Sequence, residues 1–308
     1  VGRGFDSLRA HHSTSLMADG DRLPRLRRQG NSVGVRVLRR LWRRARREDL
    51  MPATGATVRY AREGGVGRLV LDRPPVNVLD LAMMEALQSA LAEAAADRGL
   101  KVLAVSGTGR AFSAGVDVAD HTADRVGRML DLFHGAVRRL MALEVPVVAL
   151  AHGATLGGGC ELALACDMIL AREDLKIGQP EIHLAVFPPV AAALLPRLIG
   201  HQRALDLILT GRTIGAAEAL QMGLVSRVFG VAEFEAGAAA VLAELASRSG
   251  PALRLAKRAV AEGADRPFAA ALERAEQLYL TELMRLPDAH EGIAAFMEKR
   301  PPVWRELA

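Results

Sequence analysis

Aromatic side chains are scarce in this chain. Two Trp, two Tyr and eight Phe make up 4% of 308 residues, although half of all residues are apolar. A core without large rings has to be built from Ala, Val, Leu and Met, which suits closely packed helices and strands. Cysteine is scarcer still. Cys160 and Cys166 lie six apart in one helical stretch, neither a metal-ligand spacing nor a disulfide framework, so a reducing, cytoplasmic setting is expected. No apolar run reaches the roughly 18 residues of a transmembrane helix, so no membrane span is expected.

Lysine is missing from residues 1–50, where 13 Arg stand against five acidic residues; residues 51–308 carry 27 basic and 30 acidic ones. The net charge of +5 therefore belongs to a basic extension on a slightly acidic body. The run Arg39-Arg40-Leu41-Trp42-Arg43-Arg44-Ala45-Arg46-Arg47 is open to four readings. It could be a transit peptide, an arm for nucleic acid or an anionic membrane surface, a disordered tail, or upstream sequence read from an early start. The last two are favoured, because charge runs are usually solvated tails. In addition, the chain begins with Val, and Met51 directly precedes the first strand pattern. The body is divided into an α/β core at 51–250 and a helical region at 251–308.

From Met51 onward, strand and helix patterns alternate. Val58–Arg62 and Arg68–Leu71 read as a hairpin around Gly64-Gly65, and Leu79 to Ala96 as a helix. Val102–Ser106 and Val145–Ala151 are buried strands flanking a helix over Arg125–Leu143. Strand-then-helix units with short turns predict an α/β architecture. Beyond Pro188 the pattern is almost wholly helical.

The run Gly157-Gly158-Gly159-Cys160-Glu161 opens a helix, and twenty residues later comes Gln179-Pro180-Glu181. A turn entering a helix leaves the first N–H groups without partners at the positive end of the helix dipole. Glycine there lets a substrate carbonyl approach the backbone. Taken singly, each feature has an ordinary explanation: a flexible turn, or a carboxylate stabilising a helix start. Jointly, with a second small-residue turn at Ala114-Gly115-Val116, they supply two main-chain donors for an oxyanion and two carboxylates for general acid and base work. Phosphate-loop and dinucleotide-loop spacings are both absent.

In these residues the chain resembles the crotonase (enoyl-CoA hydratase/isomerase) superfamily. The likeness runs from about Thr57 to Glu306 through four ordered motifs: Arg73 to Leu79, Ala111 to Asp117, His152 to Asp167, and Phe296 to Arg300. It implies a crotonase-like α/β (ββα) fold, and an oxyanion hole formed by the N–H groups of Val116 and Gly158. It implies Glu161 and Glu181 as the acid/base pair, Glu161 activating water and Glu181 exchanging the proton at the carbon next to the carbonyl, with the one protonated at rest left open. Asn77, Ala114, Gly115, Asp117 and Pro189 are expected around the acyl-CoA, with Asp117 as a brace of the turn rather than a catalytic group. Phe296 and Lys299 match positions that help hold CoA across a subunit boundary, so a trimer or hexamer is expected. No metal or organic cofactor is implied, since the CoA belongs to the substrate.

One departure stands out. Ordinary enoyl-CoA hydratases have Pro-Gly after the second Glu, where a backbone N–H helps hold the water. This chain has Phe187-Pro188-Pro189-Val190, and proline has no N–H. The string from Gln179 to Pro196 resembles the cyclohexa-1,5-diene-1-carbonyl-CoA hydratase branch, which adds water in 1,4 fashion to a cyclic dienoyl thioester. The rivals are a generic 2-enoyl-CoA hydratase or isomerase, a nucleic-acid-binding homologue using the Arg arm, and a non-catalytic acyl-CoA binder. His134 and His183 are expected as packing residues, and so is Cys160.

Overall fold

The computed structural model describes residues 55–305; the basic extension at 1–50 lies outside them. The described chain makes a six-stranded and a four-stranded sheet and wraps helices around both. Strands β1 (Val58–Glu63) and β2 (Val66–Leu71) form an antiparallel hairpin turned at Gly64-Gly65. Helix α1 (Leu81–Ala96) follows; its start is fixed by Asp80, whose side chain accepts from the N–H of Met83.

The next three strand pairs give one strand to each sheet in turn. These are β3 (Val102–Gly107) and β4 (Ala111–Ser113), β5 (Val147–Ala151) and β6 (Ala154–Leu156), then β7 (Met168–Arg172) and β8 (Lys176–Gly178). Helix α2 (Val126–Met141) lies between β4 and β5, and α3 (Gly158–Leu164) between β6 and β7. The large sheet runs β1-β2-β3-β5-β7 and is parallel from β2 onward. Each chain turn thus adds a strand to both sheets and closes with a helix, the expected ββα arrangement.

Burial follows the two-residue period of the strands. Leu103, Val105, Val147 and Ala149 enter the main core with α1 and α2, while Val102, Ala104, Val148 and Leu150 face a second cluster. The helix at Phe234–Ala246 covers that second face with Phe234, Ala238, Val241 and Leu242. Both faces of the parallel sheet are therefore shielded, which is why its strands read as unbroken apolar runs.

The stretch beyond Pro188 is almost wholly helical, but two short strands that local pattern does not show interrupt it. Helices α4 (Pro189–Ile199), α5 (His201–Thr210), α6 (Ala216–Gln221) and α7 (Phe234–Ala246) are interrupted by β9 (Thr213–Gly215) and β10 (Arg227–Phe229). Strand β9 pairs antiparallel with β8 at the edge of the small sheet, and β10 pairs parallel with β7 at the edge of the large one. Three residues are too few to display a strand period, so pairing rather than local pattern makes them strands. Helices α8 (Gly250–Gly263), α9 (Phe268–Thr281) and α10 (Pro287–Glu298) follow. Among the described residues no helix is long and apolar enough to cross a membrane.

Candidate active site

Val116 owes its orientation to a bridge with Leu79. The N–H of Leu79 donates to Gly115 O at 2.9 Å, and the N–H of Asp117 donates to Leu79 O at 2.9 Å. In such a bridge the polar groups of the central residue point the opposite way, so the N–H of Val116 faces away from Leu79. Gly115 makes the turn with φ of 102°, a region that side chains avoid.

On the facing wall, Gly157 caps α3 with φ 53° and ψ −128°, and its own N–H donates to Gly178 O at 3.0 Å. The N–H of Gly158 is then the first orphan donor of the helix. A Cβ placed on Gly158 would lie 3.3 Å from the Val116 nitrogen, so the two N–H groups border the same small space. Among the described residues neither has an acceptor. An oxygen of a thioester can accept from both, and each donor to a developing oxyanion is typically worth about 3 kcal/mol.

The carboxylates flank this space. Glu161 sits one turn into α3, only 4% exposed, and its Oε1 accepts from the Ala191 N–H at 2.9 Å. Burial lifts its pKa to about 7, against the stabilising N–H groups of Ala191 and Val190 at the start of α4. Glu181 lies in a 3-10 turn (Pro180–Leu184). Its carboxylate lies over Gly157: a Cβ there would come within 2.6 Å of Glu181 Oε1. Burial again is the main cause of a pKa raised to about 8, and the field of Glu161 adds to it. Burial thus holds both carboxyls above the usual carboxylate range, where each can exchange a proton near neutrality.

Both carboxylates open onto one cavity of about 710 Å³, whose lining includes Ala114, Gly115, Val116, Gly158 and Pro189. Much of its remaining wall is apolar, from Met129, Leu130 and Phe133 on α2 and Leu184, Val186 and Phe187 beside Glu181. Among the described residues no group of His, Cys, Asp or Glu is clustered as metal ligands would be.

Other expected residues stand elsewhere. Asn77 is fully buried: its amide nitrogen donates to the carbonyls of Thr108, Ala111 and Phe112, and its Oδ1 accepts from the Arg73 N–H. All of its polar capacity goes into joining two loops, so it supports the turn leading to Val116 instead of lining the cavity. Asp117 caps a short 3-10 turn (Val118–His121) through the Ala119 N–H at 2.8 Å. Phe296 is 86% exposed on α10, and Lys299 ends that helix with φ of 55°; neither lines the cavity.

One partner of the site had no assigned role in the sequence reading. Gln179 is fully buried, and with its amide nitrogen turned to Glu181 it donates at 3.1 and 3.2 Å to the two carboxylate oxygens. Its place directly before Pro180-Glu181 is the signal that could have marked it. Cys160 is buried, and burial, with the charges of Glu181 and Glu161, pushes its thiol well above the usual range, so it stays protonated.

Comparison with known proteins agrees with this geometry. Residues 61–307 match the Enoyl-CoA hydratase/isomerase family. Cyclohexa-1,5-dienecarbonyl-CoA hydratase of Thauera aromatica is 39% identical over 244 residues, 79% of this chain and 94% of that protein. The 2,3-dehydroadipyl-CoA hydratase of Escherichia coli K12 is 36% identical over 245 residues, 79% and 96% of the two chains. The crystal structure of an enoyl-CoA hydratase from Bacillus anthracis superposes with a TM-score of 0.78 at 34% identity, covering 81% of this chain and 99% of that one. A carboxylate pair set against two orphan N–H groups, within a fold and sequence shared at this level, makes the chain a member of the enoyl-CoA hydratase/isomerase (crotonase) family.

Proposed function

We propose that the chain hydrates an unsaturated acyl-CoA thioester, with Val116 and Gly158 holding the thioester oxygen, Glu161 as base and Glu181 as acid. The carrying observation is the pair of buried carboxylates, with pKa values raised to about 7 and about 8, beside two unpartnered N–H groups. Water loses a proton to Glu161 as its oxygen bonds to the β-carbon. Electrons move onto the thioester oxygen, and the proton of Glu181 is returned to carbon. The addition is redox-neutral, so it calls for no cofactor besides the substrate's own CoA.

For the substrate we favour cyclohexa-1,5-diene-1-carbonyl-CoA. Water adds at ring carbon 2, the electrons pass through carbon 1 to the thioester oxygen, and the proton returns at carbon 5, leaving a double bond between carbons 1 and 6. Three features support this reading: the broad apolar wall, the Pro189 that removes an N–H donor at the start of α4, and the likeness to the Thauera aromatica enzyme.

We also read the exposed apolar residues of the C-terminal helices as a contact between copies of the chain in a trimer or hexamer. Phe268, Leu280, Phe296 and Met297 are all at least two-thirds exposed, and a monomeric mass in solution would contradict that reading.

The mechanism is tested with Glu181→Gln. Turnover should fall at least about 100-fold, as for loss of a general acid, while affinity for a saturated acyl-CoA stays within about twofold. Near-normal turnover would remove Glu181 from the reaction.

A further inference from the structure

A cavity that accepts a carboxylate-bearing acyl group has to offer it a Lys or Arg, an unused helix start, or spare N–H groups. Among the described residues, neither Lys nor Arg lines this cavity. The arginines at the start of α2, whose next turn forms part of the wall, are paired outside it. Arg125 meets Asp120 at 3.0 Å, and Arg128 meets Glu85. At the start of α4, Pro189 has no N–H, and the N–H groups of Val190 and Ala191 are directed at Glu161. Those of Val116 and Gly158 go to the thioester oxygen in the proposed mechanism. The histidines of the lining are engaged in other ways. His134 Nε2 is buried, His121 Nδ1 lies 3.1 Å from Asp117 O, and the His183 ring packs on Gly211.

Apolar surface and carboxyl groups make up much of the rest. Leu184 and Phe187 are more than half exposed, and they line the cavity together with Leu130 and Val186. That is apolar area which a hydrocarbon acyl group would cover. Glu161 and Glu181 show how the site treats negative charge. Burial lifts them to about 7 and about 8, even though Glu161 is offset by two N–H groups.

We propose that the cavity selects uncharged acyl groups: Leu130, Leu184, Val186 and Phe187 take hydrocarbon, and the Glu161–Glu181 pair turns away acyl groups that end in a carboxylate. Such a carboxylate would lose its water without gaining a partner, and it would face the charge of the two glutamates as well.

The inference rests on the acyl-CoA part of the hydratase reading, and the test separates the two. The affinity of the full chain is measured calorimetrically at about pH 8 for hexanoyl-CoA, adipoyl-CoA and the methyl ester of adipoyl-CoA. All three are saturated, so binding is read apart from turnover, and hydration of an enoyl-CoA is assayed in parallel. Adipoyl-CoA should bind about tenfold or more weaker than hexanoyl-CoA, with the methyl ester within about threefold of hexanoyl-CoA. A smaller loss for adipoyl-CoA would show that charge is tolerated and overturn the inference. A methyl ester as weak as the acid would overturn it too, since length and not charge would then be sensed. Binding of none of the three would remove the acyl-CoA site, and this inference with it. Selective binding without hydration of any enoyl-CoA would overturn the hydratase reading and leave the selectivity standing.

Discussion

Two glutamates twenty positions apart acquire different chemistry from their surroundings. Glu161 is the more deeply buried, yet N–H groups of α4 stabilise its charge, so its pKa rises only to about 7. Glu181 also feels the charge of Glu161 and rises to about 8. Below about pH 7 Glu161 takes up a proton and cannot accept one from water. Above about pH 8 Glu181 loses the proton it must deliver. The pH profile of kcat/KM for hydration should therefore be bell-shaped, with limbs near 7 and 8. A rate that kept rising past pH 9 would show that no group titrating near 8 has to carry a proton, and would remove Glu181 as the acid. Both carboxylates were legible in the sequence, because the glycine turn and the Gln-Pro-Glu string fix where they stand on the chain. Asn77 was misplaced, since its carbonyl partners come from residues 31 to 35 positions away and no local pattern records them.

The decisive elements are short. Helix α3 spans only Gly158–Leu164, yet its start carries the proposed oxyanion donor Gly158 and its first turn carries Glu161. Its geometry depends on bare backbone. A Cβ on Gly158 would stand 2.7 Å from Val116 Cγ2 and intrude on the space between the two N–H groups. Gly158→Ala should lower kcat about 100-fold or more, in line with loss of an oxyanion donor, with Tm measured alongside to separate misfolding. Turnover close to that of the unaltered chain would place the hole elsewhere. The hairpin, α1, β3, α2 and β5 were legible to within a few residues, because each is long enough to display its period. Strands β9 and β10, at three residues each, become visible only through their partners β8 and β7.

At the scale of the molecule, the small sheet sets where the parts of the site stand. The turn at Val116 follows β4, α3 follows β6, and the Glu181 turn follows β8. Three parallel strands of the small sheet thus bring Val116, Gly158 with Glu161, and Glu181 to one end of that sheet, where the proposed mechanism needs them. That convergence is a property of topology and could be anticipated only through the family resemblance. Phe296 and Lys299 stand apart from the cavity within one chain.

The whole assembly of cavity wall, Pro189 and carboxylate pair can be tested in one comparison: kcat/KM for cyclohexa-1,5-diene-1-carbonyl-CoA against kcat/KM for crotonyl-CoA. A preference for the cyclic diene of about 100-fold or more is predicted, a discrimination of about 2.7 kcal/mol in transition-state binding. Equal rates, or a preference for crotonyl-CoA, would contradict the 1,4-hydration account and return the chain to ordinary 2-enoyl-CoA hydration.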